Sequence, residues 1–70
     1  MTYSKAFEEL RKGKGMRLPI WMPDMIVRGH FPTNEEELKQ PFLYMHTKSG
    51  RYPWIPTMLA LYSEDWEVVD

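Results

Sequence analysis

Apolar positions along the chain come in short bursts whose period changes several times. Ala6, Phe7 and Leu10 recur at helical spacing among polar residues, which predicts a helix over 4–12. Ser4 is placed to cap its N-terminus. Gly13 stands where a left-handed C-cap belongs, just after Arg11 and Lys12, whose charges suit a helix C-terminus. From 15 to 22 the pattern alternates, with Met16, Leu18 and Ile20 set against Arg17, Pro19 and Trp21. This predicts an extended segment. Pro19 has no N–H to give to a ladder, so the segment is expected at a sheet edge or as an irregular strand. Pro23-Asp24 signals a turn. Residues 25–28 read as a second short strand, closed by Gly29.

Residues 30–40 read as a connecting excursion. Thr33 and Glu36 have the spacing of a capping box, and Glu35 stands four residues before Lys39, so a helical turn or two is expected before Pro41. The run 42–45 is the most apolar of the chain and is predicted as the central strand, buried on both faces. Thr47-Lys48-Ser49-Gly50 is a hairpin-type turn. Residues 51–55 return as the partner strand, which Pro53 confines to an edge or a bulge. Pro56-Thr57 then opens a short helical segment over 58–62. Ser63-Glu64-Asp65 turns the chain, and 66–69 make a last strand. The sum is one domain over 1–70 of α+β class. Its N-terminal helix packs on a small antiparallel sheet of about four to five short strands, with short helical turns inserted.

Length and composition narrow what such a domain can do. A chain of 70 residues buries only ~60% of the surface it exposes when unfolded, so its core is marginal. There is no cysteine, which removes disulfides as a remedy, and His30 and His46 lack metal-ligand spacing, so no metal is expected. Self-association becomes the favoured remedy. The net charge of -1 comes without a Lys/Arg block, which argues against duplex nucleic acid but leaves room for a small anion. No apolar run approaches the ~20 residues that span a bilayer. The N-terminus lacks a signal-peptide pattern, so the expected location is the cytoplasm. No nucleophile elbow or phosphate loop is present. Adjacent Glu64 and Asp65 diverge in most backbone conformations and make a poor acid–base couple. The expectation is a binding protein, with no catalytic residue and no cofactor.

Three Trp, four Tyr and three Phe exceed what so small a core comfortably encloses, so some rings are expected at a pocket or interface. Tyr3 and Trp21 are candidates to stack on a purine, or else they bury against the helix. Trp54 and Trp66 are assigned to the core. Arg17 and Arg28 could each hold a phosphate bidentately, or could serve in ion pairs on a solvated strand face. Thr57 opens a helical turn. It is either an ordinary N-cap or part of an anion site made by the free N–H groups there.

Two stretches taken together resemble a known family. The first is 3–13, Tyr-Ser-Lys-Ala-Phe-Glu-Glu-Leu-Arg-Lys-Gly, followed eight residues on by Trp21. The second is ungapped from Trp54 through Thr57 to Glu64-Asp65-Trp66 and the strand after it. They are similar to the two ends of the small phage and prophage domains of the second Thoeris anti-defence family, with the strand 42–45 and the Gly50 turn between. The resemblance implies a sponge. Family members bind cyclic ADP-ribose-type immune signals, and some take cyclic oligonucleotides, without cleaving them. Their pockets lie between protomers of homo-oligomers up to tetramers. Ile20, Met22 and Ala60 stand where the family pattern has Gly, Asn and Asp, which makes the implied pocket more apolar. That change favours the alternative reading, a small phage protein that inhibits or adapts a host protein by direct contact.

Overall fold

The first helix starts one residue earlier than its apolar spacing predicts. In the computed structural model, which describes residues 1–31 and 41–70, α1 is Tyr3–Arg11 and its N-cap is Thr2, whose hydroxyl accepts the Lys5 N–H at 3.3 Å. Ser4 therefore lies inside the first turn. Lys12 closes the helix, and Gly13 follows at φ 106°, the left-handed geometry in which glycine avoids a Cβ clash. Lys12 and Lys14 both reach back to Glu9. The hydrogen bond and charge of Lys12, then the charge of Lys14, hold the Glu9 carboxyl below its ordinary value.

Five short strands follow: β1 (Gly15–Arg17), β2 (Ile26–His30), β3 (Phe42–Thr47), β4 (Gly50–Pro53) and, after the helix α2 (Met58–Tyr62), β5 (Glu67–Val69). They form one antiparallel sheet in the order β4-β3-β2-β1-β5. The class is α+β, as the sequence pattern predicts. Two placements differ from expectation. The ladder of β1 ends at Arg17, two residues before Pro19, so β1 runs inside the sheet between β2 and β5 instead of at an edge. The central strand is β2, while β3 lies next to the edge strand β4 and buries only Met45. The capping box at Thr33 and Glu36, and the acidic run beside it, lie outside the described residues.

Strand alternation sorts the side chains onto two faces. Met16, Val27, Met45 and Val68 share one face, where α1 contributes Ala6 and Leu10 and the chain around α2 contributes Ala60 and Trp66. Gly29 continues β2 on this face. A Cβ there would lie 2.5 Å from Phe31 Cε2 and 2.7 Å from Leu10 Cδ2. Leu10 is fully enclosed and cannot yield. Gly29→Ala is therefore expected to cost about 1–3 kcal/mol, the usual penalty for overpacking. Chemical denaturation would show it as a lower midpoint with an unchanged slope. A midpoint equal to that of the parent protein would mean that α1 does not press on β2 there.

The opposite face carries Ile26, Arg28 and His30 from β2, Phe42, Tyr44 and His46 from β3, and Arg51 and Pro53 from β4. Among the described residues no helix packs on it: α1 contacts β1, β2, β5 and α2 only.

Candidate functional site

Four aromatic rings meet where α1, the 18–25 loop and the chain around α2 converge. Trp66 lies at the centre, 2% exposed. Its ring meets those of Tyr3, Trp21 and Trp54 edge-on, at centroid distances of 5.6, 5.4 and 6.2 Å. Trp21 and Trp54 also meet each other edge-on at 6.2 Å. Edge-to-face contacts set the positive rim of one ring against the negative face of another, which fixes their mutual angles. The Trp66 indole N–H donates to the Ala60 carbonyl at 2.8 Å, so α2 is tied to the same cluster. Trp66 is core, as expected, whereas Trp54 is only half-buried and faces a groove.

That groove has a volume of about 490 Å³. The 18–25 loop gives it Leu18, Ile20, Trp21 and Met25, β3 gives Met45, and the chain into α2 gives Trp54, Thr57, Leu59 and Ala60. Of the five candidate residues, Trp21 and Thr57 are thus brought together. The Thr57 hydroxyl accepts the Ala60 N–H at 3.1 Å as the N-cap of α2. Tyr3 does not line the groove. It stacks on Phe7 and braces the far side of Trp66, and burial pushes its phenol above its ordinary value, so the ring stays neutral.

Arg17 supports the groove from behind. One guanidinium nitrogen donates to Glu67 Oε1 at 2.9 Å, and the other donates to the Trp21 carbonyl at 2.9 Å and to Met22 O at 3.4 Å. Both terminal nitrogens are therefore engaged in holding the turn that carries Trp21. Arg28 does not line the groove; it shares the sheet face of Arg17, away from Met16 and Val27. It donates to the Asp70 main-chain oxygen at 2.9 Å.

Among the described residues that line the groove none is charged, and its margin is apolar. Ile20 is 87% exposed and Leu59 86%, with Ile55 nearby in sequence at 84%. These aliphatic contributions are not found by searching for chemistry-bearing residues. For Ile20 and Ile55 the signal in the sequence is a branched apolar side chain beside proline, in Pro19-Ile20 and Ile55-Pro56, where the backbone cannot continue a buried ladder. Ala60, at 4% exposed, is buried beside Trp66, whose indole N–H its carbonyl accepts.

The family model for the Thoeris anti-defense 2-like domain, Tad2-like, matches residues 1–69. The chain belongs to the Tad2-like family. The match runs through both ends of the chain, so the aromatic cluster and the groove fall within the family domain. Membership supports a role in anti-defence against Thoeris. No curated protein matches the chain. Among the described residues of this Tad2-like domain, no helix is long and apolar enough to cross a membrane, and no group of acidic, His or Cys side chains could hold a metal ion.

Proposed function

We propose that this Tad2-like domain sequesters a nucleotide immune signal, a cyclic ADP-ribose isomer or a cyclic oligonucleotide, without cleaving it. The observation that carries the reading is the convergence of Trp21 and Thr57 on one groove within a domain of anti-defence type. The half-buried face of Trp21 offers a stacking surface for a base. The Thr57 hydroxyl, already an acceptor, keeps its own O–H to donate to a ribose or phosphate oxygen. The groove is open and its described lining is uncharged, so a second copy of the chain closes it in a dimer or tetramer and supplies the missing enclosure. Exposed Ile20 and Leu59 are the apolar margin that such a contact would bury. The working location is the cytoplasm of the infected cell, where the signal accumulates.

The test is a thermal-shift panel of cyclic ADP-ribose isomers and cyclic di- and trinucleotides, with native mass spectrometry on the same samples. A ligand at a hundred times its Kd stabilises by ~2.7 kcal/mol. For a domain of this size that raises Tm by upwards of ~10 °C. The spectrum should show a dimer or tetramer that carries the ligand mass, and heating should release the ligand intact. Trp21→Ala is expected to weaken binding about 5- to 150-fold, the equivalent of ~1–3 kcal/mol for one base–aromatic stack. Should no member of the panel shift the Tm, the sponge reading is lost. The same apolar margin then favours the second reading, direct inhibition of a host protein.

A further inference from the structure

The loop over 18–25, which carries Trp21 into the groove, is tied to the sheet from two sides. On one side the Arg17 guanidinium donates to the Trp21 and Met22 carbonyls. On the other, Asp24 Oδ2 accepts the Lys48 N–H at 3.1 Å. Lys48 lies in the turn between β3 and β4. Thr47 shapes that turn, since its hydroxyl donates to the Gly50 carbonyl and accepts the Ser49 N–H, each at 3.2 Å. The register explains why Asp24 and Lys48 meet. Ile26 stands opposite His46, so in an antiparallel pair residue 24 falls level with residue 48. The carboxylate thus extends the hold of β3 on this chain two residues past the start of β2.

We propose that Asp24 is a positioning residue for the groove: its bond to the Lys48 N–H moors the end of the 18–25 loop to the β3–β4 turn and so holds Trp21 and Met25 in the groove wall. Three observations lead there. The first is placement. Leu18, Ile20 and Trp21 lie between the two ties and Met25 lies directly after the second, and all four line the groove. The second is how little else fixes this stretch. Ile20 is 87% exposed and Met22 65%, so neither gains much hold from packing. The bonds Trp21 N–H to Leu18 O and Met25 N–H to Met22 O bend the loop upon itself. The third is strength. A bond from an amide to a carboxylate is charge-assisted and outweighs one to a neutral carbonyl. A wall ordered in advance spares a ligand the cost of ordering it. The effect on binding rests on the groove being the signal site, whereas the mooring stands apart from that reading.

The test is nuclear magnetic resonance of the intact protein, with Asp24→Ala, Lys48→Pro and the two combined. Proline removes the Lys48 N–H, and position 48 has no left-handed backbone to forbid it. Either change should move the Trp21 indole N–H resonance. In Asp24→Ala the Lys48 amide should exchange about 2- to 10-fold faster, the worth of one exposed hydrogen bond, while the Val27 amide in the core keeps its protection. The combined variant should match Lys48→Pro alone. Asp24→Asn keeps an acceptor oxygen and should restore the parent spectrum. Titrations with cyclic ADP-ribose and cyclic di-AMP form the second arm, in which either single change should weaken binding about 2- to 10-fold and the combined variant no further. Lack of binding of both probes to the parent counts against the signal reading alone, and the spectra still decide the mooring. The proposal is overturned if Asp24→Ala and Lys48→Pro both leave the Trp21 resonance in place, or if their effects add. It is also overturned if Asp24→Asn behaves as Asp24→Ala, or if Val27 loses as much protection as Lys48, since the bond would then serve the whole fold and not the loop.

Discussion

Trp66→Ala is expected to remove about half of the protein's stability at 25 °C. Removing a large buried aromatic side chain costs about 3–5 kcal/mol. At ~0.05–0.15 kcal/mol per residue, a domain of this length has only about 4–10 kcal/mol to lose. Trp66 concentrates that loss because its neighbours depend on it. It is the ring that Tyr3, Trp21 and Trp54 all meet edge-on, its indole N–H satisfies the Ala60 carbonyl, and its own main-chain N–H donates to Met1 O at 3.0 Å. Truncation opens a cavity under α2 and releases both walls of the groove. Trp66→Phe separates the two contributions. The ring stays, but the Ala60 carbonyl loses its partner, at a cost of about 1–3 kcal/mol. Urea unfolding followed by circular dichroism measures both variants. A Trp66→Ala protein within ~1 kcal/mol of the parent would show that the cluster does not hold the fold.

The elements were legible where local chemistry decides them. The helix α2 at Met58–Tyr62 follows from Pro56-Thr57, and the β3–β4 hairpin follows from Thr47 to Gly50. The position of each strand in the sheet was not legible, because that depends on pairing between distant segments. Residues 42–45 read as a strand buried on both faces since all four are apolar, yet only Leu43 and Met45 turn toward the core. Phe42 and Tyr44 are left on the opposite face, on which no described helix packs, a distinction that register alone makes. Pro19 is a valid warning against a ladder at its own position, but β1 stops before reaching it. The same limit applies to the site. Trp21 and Thr57 could be singled out by type, whereas their convergence depends on α2 folding back across 36 residues of chain to the loop that follows β1. Ser4 and Thr2 are both competent caps, and the choice between them turns on which one the first turn excludes.

Arg17→Ala is expected to cost about 2–3 kcal/mol and to weaken signal binding in the same variant. Arg17 reads from the sequence as a phosphate ligand or an ion-pair partner, and the structure engages both its terminal nitrogens within the chain. The pair with Glu67 is the smaller part. The Glu67 side chain is 52% exposed, and an ion pair with so wet a partner is worth ~0–1 kcal/mol. The Trp21 carbonyl is the larger part. A hydrogen bond from a charged donor to a half-buried acceptor is worth ~1.5–3 kcal/mol, and only 15% of the Arg17 side chain is exposed, so water does not readily take its place. Glu67→Gln should therefore change stability by less than ~1 kcal/mol, and the Arg17→Ala deficit should persist in 1 M salt, where exposed charge pairs are screened. Arg17→Lys distinguishes charge from shape. One ammonium cannot span Glu67 and the Trp21 carbonyl as the guanidinium fork does, so this variant should recover little of the loss. If instead Arg17→Lys matches the parent, or the deficit vanishes in salt, Arg17 contributes charge alone. The orientation of Trp21 must then come from its edge-on contacts with Trp54 and Trp66.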